Sequence, residues 1–185
     1  LRDLLIQRAA RLQERPALTA PGWGTLAWGA WRSRVEGVAL GLLAEETPDR
    51  AVHCATGSAW DWAAEVAAAC CGLRWDPAGG CIDAALLGGA RFNADAGRGP
   101  YHRREQAITA ATPFLPGLDH GELLLRLRRL NGRLGWDHHT ELCIPVTALP
   151  FARAALWSLL YAGGHARLAS PGGFDPEPYQ GLFLA

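Results

Sequence analysis

Residues 50–77, RAVHCATGSAWDWAAEVAAACCGLRWDP, decide the fold because they contain a strand, a helix and a second strand in direct succession. Arg50–Ala55 is an extended, largely apolar run, and Ser58 follows it as a plausible helix N-cap. The helix is expected to end at Gly72, and Leu73–Trp75 predicts a short strand after it. A strand–helix–strand unit of this kind is typical of α/β proteins with parallel strands.

The same alternation extends in both directions from this stretch. Upstream, an amphipathic helix is predicted before Pro16, a hairpin around the turn Pro21–Gly24, and a helix with Trp31 and Val35 on one face. Downstream, helices are predicted at Ile82–Leu87, after Asp119, at Phe151–Tyr161 and from Asp175. Asp119 and Glu122 form a capping-box pattern, and the helix after them is expected to bury the leucine stripe Leu123, Leu127, Leu130 and Leu134. Strands are predicted at Ala90–Ala94, Gln106–Thr109, Leu142–Val146 and Ala166–Ala169, and Pro145 indicates that Leu142–Val146 lies near a sheet edge. The predicted fold class is therefore α/β, a layered and mainly parallel sheet flanked by helices. Residues 1–185 are expected to form one domain, either undivided or with two lobes at 1–95 and 106–185.

Composition excludes several kinds of chemistry and partner. All 18 basic residues are arginine, so a mechanism that needs a lysine from this chain is excluded. The formal net charge is zero, which gives no field for nucleic acid, and no apolar run reaches the length of a membrane span. The five cysteines are odd in number and match no zinc or redox spacing, so buried free thiols in a reducing cytoplasm are expected.

Four stretches, in this order, resemble the N-terminal region of the AMP-forming adenylating enzymes, which include acyl-CoA synthetases, luciferases and peptide-synthetase adenylation domains. They are Arg15–Leu18 with Gly24–Trp28, Asp49–Pro77, Ile82–Arg91, and the run from Pro145 through Leu159–Gly164 to Phe174–Glu177. The resemblance spans roughly Leu4 to Tyr179 and implies the fold of that region. In the family, most of the acyl pocket, the adenine-binding strand and the mobile lid with its lysine follow this region, so none of them maps onto this chain.

The stretch Thr109–Gly117 stands where the family carries a phosphate loop of the form T-S-G-T-T-G-x-P-K-G. Thr109, Thr112 and Pro116 match that pattern without a gap, whereas Phe114 replaces a glycine and Gly117 stands at the lysine. The resemblance implies that Thr109, Thr112 and Gly117 are the residues of a degenerate phosphate loop. Pro113 also removes an N–H donor from the loop, so no cofactor is expected to bind. ATP or AMP would bind only if the altered loop still holds phosphate.

Other polar residues are given structural interpretations. His120 is a rough match for a family histidine after the loop and is interpreted as a capping-turn or surface residue. The adjacent His138 and His139 are interpreted as part of a solvated loop, not a metal site. The arginines after Asp119 are interpreted as a solvated helix face, and the eight tryptophans mainly as core.

These features favour a non-catalytic homologue of AMP-forming acyl-CoA synthetases that acts as an interaction or regulatory protein. A homo-oligomer or a protein partner is expected, without nucleic acid and without a membrane span, in the cytoplasm. One alternative is a subunit of a split acyl-CoA ligase completed by another chain, which would be active only with that partner. The other alternative is a protein that binds a small ligand, either a nucleotide or an acyl group.

Overall fold

The structure is a computed structural model that describes residues 1–44, 51–89, 107–169, 173–179 and 181–182. Its helices are α1 (Arg2–Leu12), α2 (Trp28–Ala44), α3 (Ala59–Cys71), α4 (Ala84–Gly89), α5 (His120–Leu134) and α6 (Leu149–Ala162). Its strands are β1 (Pro16–Ala20), β2 (Gly24–Ala27), β3 (Ala51–His53), β4 (Arg74–Trp75), β5 (Gly80–Cys81), β6 (Pro113–Leu115), β7 (Leu118–Asp119), β8 (Glu141–Pro145) and β9 (His165–Ala169). Short 3-10 helices lie at Val146–Ala148 and Glu177–Tyr179. The predicted α/β class is confirmed.

Two compact units divide these elements, and each unit takes several separate segments of the chain. The first contains Leu1–Arg2, Ser33–Thr56 and Trp60–Glu122. The second contains Asp3–Arg32, Gly57–Ala59 and Leu123–Ala185.

The first unit is organised around a three-stranded parallel sheet in the order β4-β3-β5. Val52 in β3 pairs with Trp75 in β4 and with Gly80 in β5, so the strand–helix–strand unit predicted from residues 50–77 is confirmed. The turn before β5 comes so close to β3 that a Cβ atom on Gly79 would lie 2.4 Å from the carbonyl oxygen of Ala51. Only a glycine fits that approach without movement of the backbone.

The second unit contains a four-stranded sheet in the order β2-β1-β9-β8. β1 and β2 form the predicted antiparallel hairpin, while β9 runs parallel to both β1 and β8. β8 lies at the edge of this sheet, as Pro145 at its end predicts, because proline cannot donate to a neighbouring strand. Helix α6 connects β8 to β9 and ends before Gly163, whose φ of 83° is suited to a glycine.

Most of the predicted core is buried. Five of the eight tryptophans are buried, namely Trp28, Trp31, Trp62, Trp75 and Trp157. On α5, the predicted leucine stripe is buried at Leu123, Leu127 and Leu130, and half-buried at Leu134. Among the described residues, no helix is both long enough and apolar enough to span a bilayer.

Several sequence-based expectations need correction. The strand predicted at Gln106–Thr109 is not formed by the residues of this stretch that the structure describes. Ala107 is helical, and Ile108 and Thr109 are irregular. The strand predicted at Ala90–Ala94 lies outside the described residues. Of the five cysteines, three are buried, but Cys81 and Cys143 are exposed because they lie on outward positions of short or edge strands.

Candidate functional site

The segment that corresponds to the phosphate loop forms a tight hairpin in place of an open loop. β6 and β7 pair antiparallel, with Leu115 opposite Leu118, and the turn between them contains Pro116 and Gly117. Gly117 has a φ of 74° and open space around it, so it serves as the turn residue of this hairpin. Phe114 in β6 is 0% exposed, so the ring that replaces a family glycine belongs to the core.

Thr109 and Thr112 lie together and are bonded to each other. The N–H of Thr109 donates to Thr112 Oγ1 at 2.9 Å, and the N–H of Thr112 donates to the Thr109 carbonyl at 3.2 Å. Their hydroxyl oxygens are 3.5 Å apart. The two threonines named from the sequence therefore close a local turn, while Gly117 lies at the tip of the hairpin.

The N-terminus of α5, directly after the hairpin, is already occupied by acceptors from the chain. The N–H of His120 donates to the Thr112 carbonyl at 3.1 Å, and the N–H of Gly121 donates to the Ala110 carbonyl at 2.8 Å. The third N–H, of Glu122, donates to Asp119 Oδ1 at 2.7 Å, which is the capping bond predicted from the sequence. The first donors of a helix are the groups that bind anions at helix N-termini, and here three of them have partners.

His120 is buried, and the interpretation as a surface residue was wrong. Its side chain is 2% exposed, and its ring meets Phe114 edge-on with centroids 5.5 Å apart. Within the part of the chain that the structure describes, neither ring nitrogen has a hydrogen-bond partner. Burial lowers the pKa of His120 to about 4, so the ring is neutral at ordinary pH.

The remaining polar clusters lie mainly at exposed positions of the described residues. His138 and His139 are both exposed, and their rings lie 4.1 Å apart in a turn. No group of three metal-ligating side chains is present among the described residues. On α5, Arg128, Arg129 and Arg133 are exposed, whereas Arg126 is half-buried and donates to the Leu182 carbonyl at 3.1 Å.

Two properties of this segment have no signal in the sequence. The burial of His120 depends on the ring of Phe114, and the loss of free N–H groups depends on carbonyls that the turn at Thr109–Thr112 directs toward α5. A sequence pattern shows which residues lack donors, but it does not show where the remaining donors find acceptors.

Comparison with solved structures identifies the fold. No protein-family model matches the chain, and no curated protein matches it. The N-terminal subdomain of Klebsiella oxytoca NpsA, in complex with 3-hydroxyanthranilyl-AMSN, superposes with a TM-score of 0.65 at 13% identity over 95% of this chain and 54% of that one. A Rhodopseudomonas palustris protein described as a long-chain-fatty-acid CoA ligase gives 0.63 at 17% identity, over 95% and 58%.

The chain has the fold of the N-terminal subdomain of adenylating enzymes. A third match within this fold is a double mutant of the o-succinylbenzoate CoA synthetase MenE from Bacillus subtilis, bound to its product analogue OSB-NCoA. It has a TM-score of 0.61 and 16% identity, over 92% of this chain and 44% of that one. The resemblance stated from the sequence is thus confirmed at the level of the adenylating-enzyme fold. This chain spans about half the length of the structures it matches.

Proposed function

We propose that this protein is a non-catalytic homologue of AMP-forming acyl-CoA ligases, acting as an interaction or regulatory protein. The observation that carries the proposal is the occupation of the N–H donors around the altered phosphate loop. Thr109 and Thr112 bond to each other, and the first three N–H groups of α5 all have acceptors within the chain.

A polyphosphate would have to replace these hydrogen bonds, because the loop offers no charge in exchange. The position of the family lysine is taken by Gly117, and the chain contains no lysine elsewhere. Each internal hydrogen bond contributes about 1 kcal/mol, and an unmade buried one costs more. Binding of ATP in the manner of the family is therefore disfavoured in this segment.

Calorimetric titration with Mg·ATP, AMP and acyl-CoA tests this proposal, with an active acyl-CoA ligase measured in parallel as the control. No heat of binding is expected for the nucleotides up to about millimolar concentration, which corresponds to less than about 4 kcal/mol of binding free energy. Hydroxamate trapping with a panel of carboxylates should likewise give no acyl-adenylate. Micromolar binding of ATP, or any trapped hydroxamate, would overturn the proposal, and binding of acyl-CoA alone would favour the small-ligand alternative.

Self-association is the form of interaction that we propose first. Among the described residues of the second unit, two large apolar side chains are exposed, Leu125 on α5 at 50% and Phe151 on α6 at 73%. Sedimentation velocity should show a dimer or larger species for the wild-type chain and a shift toward monomer for Phe151→Asp. A monomer across the accessible concentration range would count against a homo-oligomer and leave a different protein as partner.

A split ligase is the second candidate, and the coverage of the matched structures is the observation that favours it. The chain corresponds to 44–58% of their lengths, so a second chain could supply the remainder. Co-expression with a chain that carries those missing parts should then give a stable complex with acyl-adenylate activity. On composition alone, we also propose that the protein does not bind nucleic acid and that it is located in the cytoplasm.

A further inference from the structure

A row of hydrogen-bonded polar side chains crosses the four-stranded sheet of the second unit. Thr25 on β2 and Thr19 on β1 have their hydroxyl oxygens 2.8 Å apart, and Thr19 Oγ1 is 2.8 Å from Nε2 of His165 on β9. On the other side of the ring, His165 Nδ1 is 3.0 Å from Oε2 of Glu141 on β8. Arg167 donates to Glu141 Oε1 at 3.0 Å. The row therefore joins all four strands.

The carboxylate at one end of the row fixes the direction of its hydrogen bonds. Glu141 is ionised, because its bonds from Arg167 and then from His165 lower the pKa of its carboxyl, and an ionised carboxylate can only accept. His165 Nδ1 therefore carries a proton and donates, and in the tautomer with its single proton at Nδ1 the other nitrogen, Nε2, is an acceptor. The hydroxyl of Thr19 must then donate to Nε2, and the hydroxyl of Thr25 donates to Thr19.

In this arrangement the described row uses only one lone pair of Thr19 Oγ1. Its proton points at His165 Nε2, one lone pair accepts from Thr25, and the second lone pair has no partner in the row. A hydroxyl bonded to an imidazole, which is itself held by a carboxylate, is the geometry in which a base can remove the proton of an attacking oxygen. Thr19 and His165 are half-buried and Glu141 and Thr25 are exposed, so small molecules can approach.

We propose that Thr19 is a nucleophile that accepts an acyl group from small activated esters, with His165 as its general base and Glu141 as the residue that orients the base. Aryl esters are the substrate class. A phenolate is a weakly basic leaving group, so the bond to it breaks readily in the step in which His165 holds the proton taken from Thr19. The proposal is independent of whether the altered phosphate loop binds nucleotide.

The step balances without any other reactant. Thr19 Oγ1 attacks the carbonyl carbon of the ester, and its proton passes to His165 Nε2. The tetrahedral intermediate then collapses, the bond from carbonyl carbon to the phenolic oxygen breaks, and the phenolate leaves. His165 returns its proton to the phenolate or to water, so the products are O-acyl-Thr19 and a phenol.

The probe is p-nitrophenyl acetate, added after the exposed thiols of Cys81 and Cys143 have been alkylated with iodoacetamide. Release of p-nitrophenolate and intact-protein mass should report one acetyl group per chain, and peptide mapping should place it on Thr19. The variants His165→Gln and Glu141→Gln should lower the rate, the former by about 100-fold, a typical contribution of a general base. Thr19→Ser should remain reactive, whereas Thr19→Val should give no label.

Thr140→Val is the matched control, because the Thr140 hydroxyl accepts from a backbone N–H, that of Asp137, at 3.1 Å and is not part of the row. Its labelling should equal that of the wild-type chain.

Three results would overturn the proposal. They are the absence of acetylation in both the wild-type chain and Thr19→Ser, acetylation only at sites other than Thr19, and an unchanged rate in a folded His165→Gln variant. Circular dichroism and the melting temperature establish that each variant is folded. A purely structural row would survive in Thr19→Ser but would give no acetyl group on that residue.

Discussion

Replacement of His120 by leucine should make the stability of this protein less sensitive to acid. The ring is 2% exposed, and its pKa is lowered from 6.5 to about 4 in the folded state. The unfolded chain therefore takes up the proton first as the pH falls. Because the pKa of His120 is lower in the folded state, the protein binds a proton when it unfolds at acid pH. The free energy of unfolding is therefore unaffected by this group above about pH 6.5 and decreases progressively toward about pH 4.

The size of the effect follows from the two pKa values. At about pH 5 an unfolded histidine with a pKa of 6.5 is almost fully protonated, while the folded ring is mostly neutral. The difference in proton binding destabilises the wild-type protein by about 2 kcal/mol relative to about pH 7.5. The variant His120→Leu has no such group, and it also removes two buried ring nitrogens that lack partners among the described residues.

Urea unfolding at about pH 7.5 and about pH 5 measures the free energy of unfolding for both proteins. The wild-type chain should lose about 2 kcal/mol more than His120→Leu between these two conditions. His139→Leu is the matched control, because His139 is exposed, and it should follow the wild-type chain. Equal losses in the wild-type chain and in His120→Leu would mean that the ring is hydrated or charged in the folded protein, and the argument from burial would fail.

Three further outcomes are expected. Gly79→Ala should lower the melting temperature strongly, because the added Cβ would lie 2.4 Å from a backbone oxygen of β3. The control is Gly132→Ala on α5, whose added Cβ meets nothing within 4 Å and should stabilise the protein by roughly 0.5–1 kcal/mol. Phe114→Ala should cost about 3–5 kcal/mol in denaturant unfolding because the ring is fully buried, and a loss below about 1 kcal/mol would contradict its place in the core. Titration with Ellman's reagent should modify the exposed Cys81 and Cys143 quickly. The buried thiols of Cys54, Cys70 and Cys71 should react only after denaturation, and burial raises the pKa of the Cys54 thiol to about 11.

Local patterns in the sequence predicted most elements of this fold. The strand, helix and strand of residues 50–77, the hairpin around Pro21–Gly24, and the capping bond at Asp119 all depend on residues close in the chain. Pro145 predicted an edge strand for the same reason, because the missing N–H is a property of the residue itself. The strand at Gln106–Thr109 was predicted wrongly, since its described residues form no pairing that would favour an extended backbone.

The candidate site divides in the same way. The sequence determined which groups the altered phosphate loop lacks, because prolines, a phenylalanine and the absence of lysine are visible without a fold. It could not show that the remaining N–H groups bond to Thr109, Thr112 and Ala110, because those acceptors are aligned only when the turn folds against α5.

What this sequence determined by itself is the order of strands and helices and the inventory of donors and charges, since both depend on residue identity and on neighbours within a few positions. Only the tertiary structure decided what those groups meet. Thr19 and His165 are separated by 146 positions in the chain, and sheet pairing alone brings their side chains to 2.8 Å. The burial of His120 likewise depends on packing against Phe114, so its low pKa is a property of the fold and not of the residue.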